Sequence, residues 1–108
     1  MDERRKDSRI PYLALRDELR QVEIILHSVS IDAEVEDISL VGIGLIVRKI
    51  NFLHKGDIFI VSFPKIDRQM KSVCVYCEDE DDDETVVIGA YFLNPFDEEN
   101  IHSLIRDN

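Results

Sequence analysis

The chain has 108 residues, room for one domain, and 44% of them are hydrophobic, enough for a folded core. Its formal net charge of −10 argues against a nucleic-acid partner, because a protein that grips a phosphate backbone presents a basic face. The longest uninterrupted apolar or glycine run, Leu40 to Val47, is far short of the roughly 20 residues that cross a bilayer. The charged start MDERRKDSR has no apolar run behind it and does not read as a secretory signal. The expectation is a soluble, cytoplasmic domain without membrane insertion, as a monomer or weak dimer.

Residues 1–10 are charged and poor in large apolar groups, the composition of a flexible arm. Pro11 biases Ile10 toward extended geometry and opens the folded body, residues 11–108. Leu13 to Arg20 has helical composition but is short, a turn of helix or a connecting segment. From Val22 the period becomes two: Val22, Ile24 and Leu26, then Val29, Ile31, Ala33 and Val35 alternating with Ser30, Asp32, Glu34 and Glu36, the pattern of a half-buried strand. Turn formers from Asp37 to Gly42 interrupt it, and Ile43 to Val47 resumes as a more buried strand. His54 to Asp57 reads as a turn, Ile58 to Phe63 as a strand, Pro64 to Gln69 as a loop and Met70 to Cys77 as another strand.

Glu78 to Glu84 is a run of seven carboxylates. It reads as a solvated hairpin loop, since it lacks the alternating ligands and sharp-turn glycine of a calcium loop. Val86 to Leu93 is the last strand. Asp97 then suits a helix N-cap, Phe96 and Ile101 fit a hydrophobic staple, and Ile101, Leu104 and Ile105 form one apolar stripe. The sum is a mainly β fold, a six-stranded antiparallel β-barrel with a short C-terminal helix and a flexible N-terminal arm. Closure into a barrel removes the exposed edges of so many short strands.

Few residues point to catalysis or metal binding. Cys74 and Cys77 form a lone C-x-x-C on a strand, where residues three apart face opposite ways, and no second pair completes a metal site. His27, His54 and His102 are scattered, Ser39 has no histidine near it in sequence, and Asp37 has no second catalytic group at a recognisable spacing. The expectation is therefore no enzyme, no metal and no cofactor. Charge is uneven, however. Residues 1–20 hold six cations against five anions, a net of +1, leaving −11 for the rest, so an anionic ligand meets its most favourable potential at the arm.

Two short elements carry the binding chemistry. Arg5-Lys-Asp-Ser-Arg9, with Arg4 in front, is an R-x-x-x-R motif. Asp37-Ile-Ser39-Leu-Val-Gly42 is a D-x-S-x-x-G motif some thirty residues later, between two strands. Together, with Ile88 to Leu93 and the short helix after it, they resemble the PilZ domain family over nearly the whole chain. The resemblance implies a receptor for the bacterial second messenger cyclic di-GMP. On that reading Arg5 and Arg9 grip phosphate and guanine, Asp37 and Ser39 read guanine, and Gly42 lets the backbone approach the ligand. Arg4 implies capture of an intercalated pair of ligand molecules. Guanidinium suits this work, since its planar fork matches a phosphate or the O6/N7 edge of guanine, while a carboxylate accepts from the N1–H and N2–H donors that adenine lacks. Output would pass to an effector protein, in the control of motility, adhesion or biofilm. The alternative is a PilZ-fold interaction module that binds no nucleotide.

Overall fold

The structure, a computed structural model, describes residues 9–48, 53–79 and 84–95. Seven strands follow in chain order: β1 (Ile10–Pro11), β2 (Gln21–Leu26), β3 (Val29–Ile38), β4 (Gly42–Arg48), β5 (Ile58–Phe63), β6 (Arg68–Asp79) and β7 (Thr85–Phe92). They are ordered β1-β3-β2-β5-β6-β7-β4, and β4 returns to pair with β3. Six strands thus close into an antiparallel barrel, with β1 as an extra strand. The closing joint is β3, where Glu34 lies opposite Gln21 of β2 and Ile46 of β4. Further along, Ile38 has Ile10 of β1 on one side and Ile43 of β4 on the other.

The period-two pattern explains the core. Val22, Ile24 and Leu26 of β2, Ala33 and Val35 of β3, and Leu45 and Val47 of β4 all point inward and are buried, together with Phe59, Val61 and Phe63 of β5. Each of these side chains larger than alanine contributes about 1.5–3 kcal/mol by leaving water. Val29 and Ile31 share the parity of Val35 but sit toward the tip of the β2–β3 hairpin, where Val29 is exposed and Ile31 only half-buried. The hairpin turns through His27 and Ser28, both at positive φ, the two-residue geometry that matches strand twist.

The segment from Tyr12 to Arg20 folds as two 3₁₀ turns, Tyr12–Ala14 and Asp17–Leu19, rather than a turn of α-helix. They carry Leu15 and Leu19 into the core. Arg20 ties the segment down: it lies over the Tyr12 ring, donates to the carbonyls of Tyr12 and Leu13, and pairs with Asp17 at 3.1 Å. Ile10 is buried and paired, so the barrel holds the chain already at residue 10. The arm's residues 1–8 and the C-terminal helix expected from Asp97 lie outside the described residues.

Two register shifts interrupt the ladders, between Val35 and Asp37 on β3 and between Cys74 and Tyr76 on β6. Each inserts one extra residue, Glu36 or Val75, and reverses the in–out alternation beyond it. The second corrects an expectation about the cysteines. Cys74 pairs with Ala90 and Cys77 with Ile88, both inward-facing positions, so the thiols share one side of the strand instead of opposing. Cys74 is buried in the wall and Cys77 exposed, and both are free.

Burial pushes the Cys74 thiol up from an ordinary 9.0 to about 11, and the neighbouring Cys77 and Asp57 add to the shift. The unfolded chain therefore releases this proton more readily than the folded one, and folded stability should hold below pH 9 and fall as pH climbs toward 11. Urea unfolding at stepped pH is expected to show a shallower alkaline decline for Cys74→Ala than for the natural chain. Equal declines would remove Cys74 as a contributor.

Candidate functional site

The D-x-S-x-x-G segment forms the end of β3, the turn and the start of β4. Ser39 is its lock. The Ser39 N–H donates to the Gly42 carbonyl at 2.8 Å, and the Ser39 hydroxyl oxygen accepts from the backbone N–H groups of Val41 at 3.2 Å and Gly42 at 3.1 Å. With the residue only 1% exposed, that hydroxyl is engaged by the turn. Asp37, by contrast, is half-exposed. Without the Glu36 bulge the alternation would send Asp37 into the core; with it, Asp37 faces out and Ile38 faces in.

Asp37 lies against Gly44. A Cβ built on Gly44 would stand 2.7 Å from the Asp37 Oδ1, so only a bare backbone leaves the carboxylate this place. Gly44 is in register with Gly89 of β7, and Gly89 with Tyr76 of β6. The Tyr76 ring rests on Gly89 so closely that a Cβ there would fall inside it. Asp37, Gly44, Gly89 and Tyr76 therefore form one row across four strands on the outside of the barrel, about 14 Å long at the usual strand spacing of about 4.8 Å. The Asp37 carboxylate leans over Gly44 and the Tyr76 ring over Gly89, so the two side chains cover neighbouring glycines, and Glu36 Oε1 reaches within 3.6 Å of where a Cβ on Gly44 would be.

Arg9 completes the site. Its Nη1 donates to the Asp37 Oδ1 at 3.4 Å, and its Nη2 lies 3.5 Å from where a Cβ on Gly42 would be. That Cβ would also press on the Ala90 carbonyl oxygen at 2.7 Å, a backbone clash that keeps Gly42 bare. The Arg9 and Asp37 side chains are 41% and 31% exposed. An ion pair in such wet surroundings contributes only about 0–1 kcal/mol, so an incoming ligand can exchange either partner at little cost. Burial raises the Tyr76 phenol above its ordinary value, and the carboxylates of Asp37 and Glu36 add to the shift, so the ring carries a neutral hydroxyl at physiological pH.

The structure thus brings Arg9, Asp37 and Gly42 together, with Ser39 beneath them as the brace of the turn. Arg4 and Arg5 lie outside the described residues. Gly44, Gly89 and Tyr76 were not singled out in the sequence. A signal for two of them existed, since a glycine inside a strand pattern marks a bulge or a close approach of other atoms. The parity change that turns Tyr76 outward left no such mark.

Two substitutions separate framework from surface. Ser39→Ala strips the acceptor from two backbone N–H groups of the turn, and urea unfolding should show a loss of about 1–3 kcal/mol. Gly89→Val should leave the inner core intact while displacing the Tyr76 ring, seen as a change in tyrosine near-ultraviolet dichroism; an unchanged signal would mean the ring does not rest there.

No relative is found among curated proteins. The sequence model described as PilZ domain matches residues 3–107, nearly the full length. The closed six-stranded barrel and the joined arginine and D-x-S-x-x-G elements agree with that match, and the chain belongs to the PilZ domain family.

Proposed function

We propose that the chain is a receptor for cyclic di-GMP that closes its N-terminal arm over the outer row of the barrel and relays the bound state to a protein partner. The observation that carries this reading is the meeting of Arg9 and Asp37, 28 positions apart, beside Gly44, with the Tyr76 ring on the next glycine of the row. Each group answers one part of the ligand. Asp37 accepts from the N1–H and N2–H of guanine, Tyr76 offers a ring for stacking, and the arginines of the arm answer the phosphates and the O6/N7 edge. Ser39 acts through the turn that holds Asp37 and Gly42 in place. No reacting group is needed, and the chain works as a binding module rather than an enzyme.

Magnitudes favour a partly organised arm. Micromolar affinity needs about 8 kcal/mol, and a charge-assisted hydrogen bond supplies roughly 1.5–3. Ordering costs about 1–2 kcal/mol per residue fixed, which a long free arm would turn into a prohibitive sum. Here β1 already fixes Ile10 and Pro11 against β3, so Arg9 starts beside its target and only the residues before it remain to be ordered. The wet Arg9–Asp37 pair then exchanges for the ligand: Asp37 takes the guanine edge and Arg9 turns to phosphate. Arg4 extends the same logic to a second, intercalated ligand molecule. The processes served are those of the family, motility, adhesion or biofilm.

Calorimetric titration of the full chain with cyclic di-GMP, with GTP as control, tests this directly. Saturable binding should appear in the natural chain and be lost in Arg9→Ala and Arg5→Ala, with a stoichiometry above one ligand per chain if Arg4 serves a pair. Amide exchange at residues 2–10 should slow with ligand. No binding at about 100 μM, equivalent to about 5.5 kcal/mol, would instead favour an interaction module that binds no nucleotide.

A further inference from the structure

Strand β6 runs for 12 residues and its neighbour β5 for 6, so the two part halfway along β6. Their pairing ends at Val73. The last ties on that side are Cys74 N–H to the Asp57 carbonyl at 2.9 Å and Gly56 N–H to the Cys74 carbonyl at 2.8 Å. Beyond them β6 keeps β7 on one side as far as Asp79, paired with Val86. On the other side no strand lies against it among the described residues. This open edge matches Ala90 to Val86 on β7, four steps of about 3.3 Å and so about 13 Å long.

The edge offers backbone groups. On β7 the Phe92 N–H donates to the Val41 carbonyl, on the β4 side, and alternation turns Ile88 the same way. Cys77 lies opposite Ile88, so its N–H and carbonyl point away from β7, onto the open edge. Neither meets a backbone partner there among the described residues. Across from the edge, residues 53–55 form the far wall of a groove whose near wall is β6 from Val75 to Glu78, about 620 Å³ in volume. A strand laid where β5 would continue, about 4.8 Å from β6, falls between the two walls.

Charge and side-chain direction say what fits. Glu78 is in register with Val87 on the outer face, Asp79 follows it, and both are exposed. The far wall brings one lysine, Lys55, while the His54 imidazole is turned to Asp57 at 3.6 Å. Acid on an edge strand also serves to keep copies apart, since open edges invite pairing. A second copy would add another net charge of −10 and the same acidic edge, so repulsion opposes it. A merely blunted edge, however, does not need a groove with Leu53 in its wall.

We propose that the open edge of β6 docks an extended segment of a partner protein, paired by its backbone with Cys77 and carrying lysine or arginine at alternate positions. Strand alternation assigns the sides: cations outward beside Glu78, apolar side chains inward toward Leu53. Tyr76 both rests on Gly89 and lines the groove, so a docked strand lies next to the outer row. The docking gives the partner of the proposed relay a chemistry, and it does not require the nucleotide.

The test is fluorescence polarisation of the full chain, without nucleotide, against a labelled six-residue peptide alternating lysine and valine. Saturable binding is expected, with slower amide exchange at Cys77 in the bound state. The same peptide N-methylated at every amide should bind about tenfold more weakly or worse, the scale of two or three backbone hydrogen bonds. Glu78→Lys should weaken binding about threefold or more. Asp32→Lys, the same charge change at an exposed position three strands away, should have the smaller effect. Matching thermal unfolding curves verify that both variants fold. No saturation up to about 1 mM, equal binding of the N-methylated peptide, equal effects of the two substitutions, or unchanged exchange at Cys77 would each overturn the proposal. Since no nucleotide is present, any of these leaves the receptor reading standing.

Discussion

The outer face of this barrel depends on two bulges. A strand alternates its side chains strictly, so a run that buries Val35 must also bury the residue two places on, and a run that buries Cys74 must bury Tyr76. One extra residue on each strand, Glu36 and Val75, breaks that rule. Asp37 and Tyr76 then face solvent, while Ile38 and Cys74 stay in the core. The two re-aimed residues end up in the same register row because Gly44 and Gly89 pair between them. Local irregularities on strands far apart in sequence thus produce one continuous surface, with a carboxylate and a phenol ring over neighbouring glycines.

Rigid and exchangeable parts are cleanly divided. The framework side is dry: Ser39 is buried within its turn, and Phe63, Leu15 and Ile88 are fully enclosed in the core. The outer row is wet, and its principal contact, Arg9 to Asp37, is an exposed ion pair of small net value. The proposed receptor role, for an anionic ligand on an acidic chain, calls for this arrangement. A tight internal pair would have to be broken before binding, whereas a loose one keeps the carboxylate outward and the guanidinium nearby until something better arrives. The anchoring of Ile10 and Pro11 on β3 keeps the loose partner within reach.

Much of the barrel was legible from alternation alone, because half-buried strands write their period into the residues. Ile58 to Phe63 was read at its observed bounds, and the inward sets of β2 and β5 follow directly. What alternation hides is any place where the chain gains a residue. The cysteines were expected on opposite sides by counting, and the bulge at Val75 invalidates the count. In the site, Asp37, Gly42 and Arg9 were legible because their types and spacing match a known pair of motifs. Ser39 was named for its motif, but its work as the lock of a turn depends on backbone atoms that no motif displays. Gly44, Gly89 and Tyr76 were missed because their partnership exists only in register, across three strands and a bulge that the sequence does not display.

The central claim is that one outer row, set by the two bulges, is where the nucleotide lies. Two-dimensional amide NMR during titration with cyclic di-GMP reads it most directly. Shifts concentrated at Arg9, Asp37, Gly44, Gly89 and Tyr76, with Ile25, Ile60 and Lys71 on another part of the outer wall left in place, are the expected result. Shifts centred on that other part, or spread without focus while the row stays still, would contradict it.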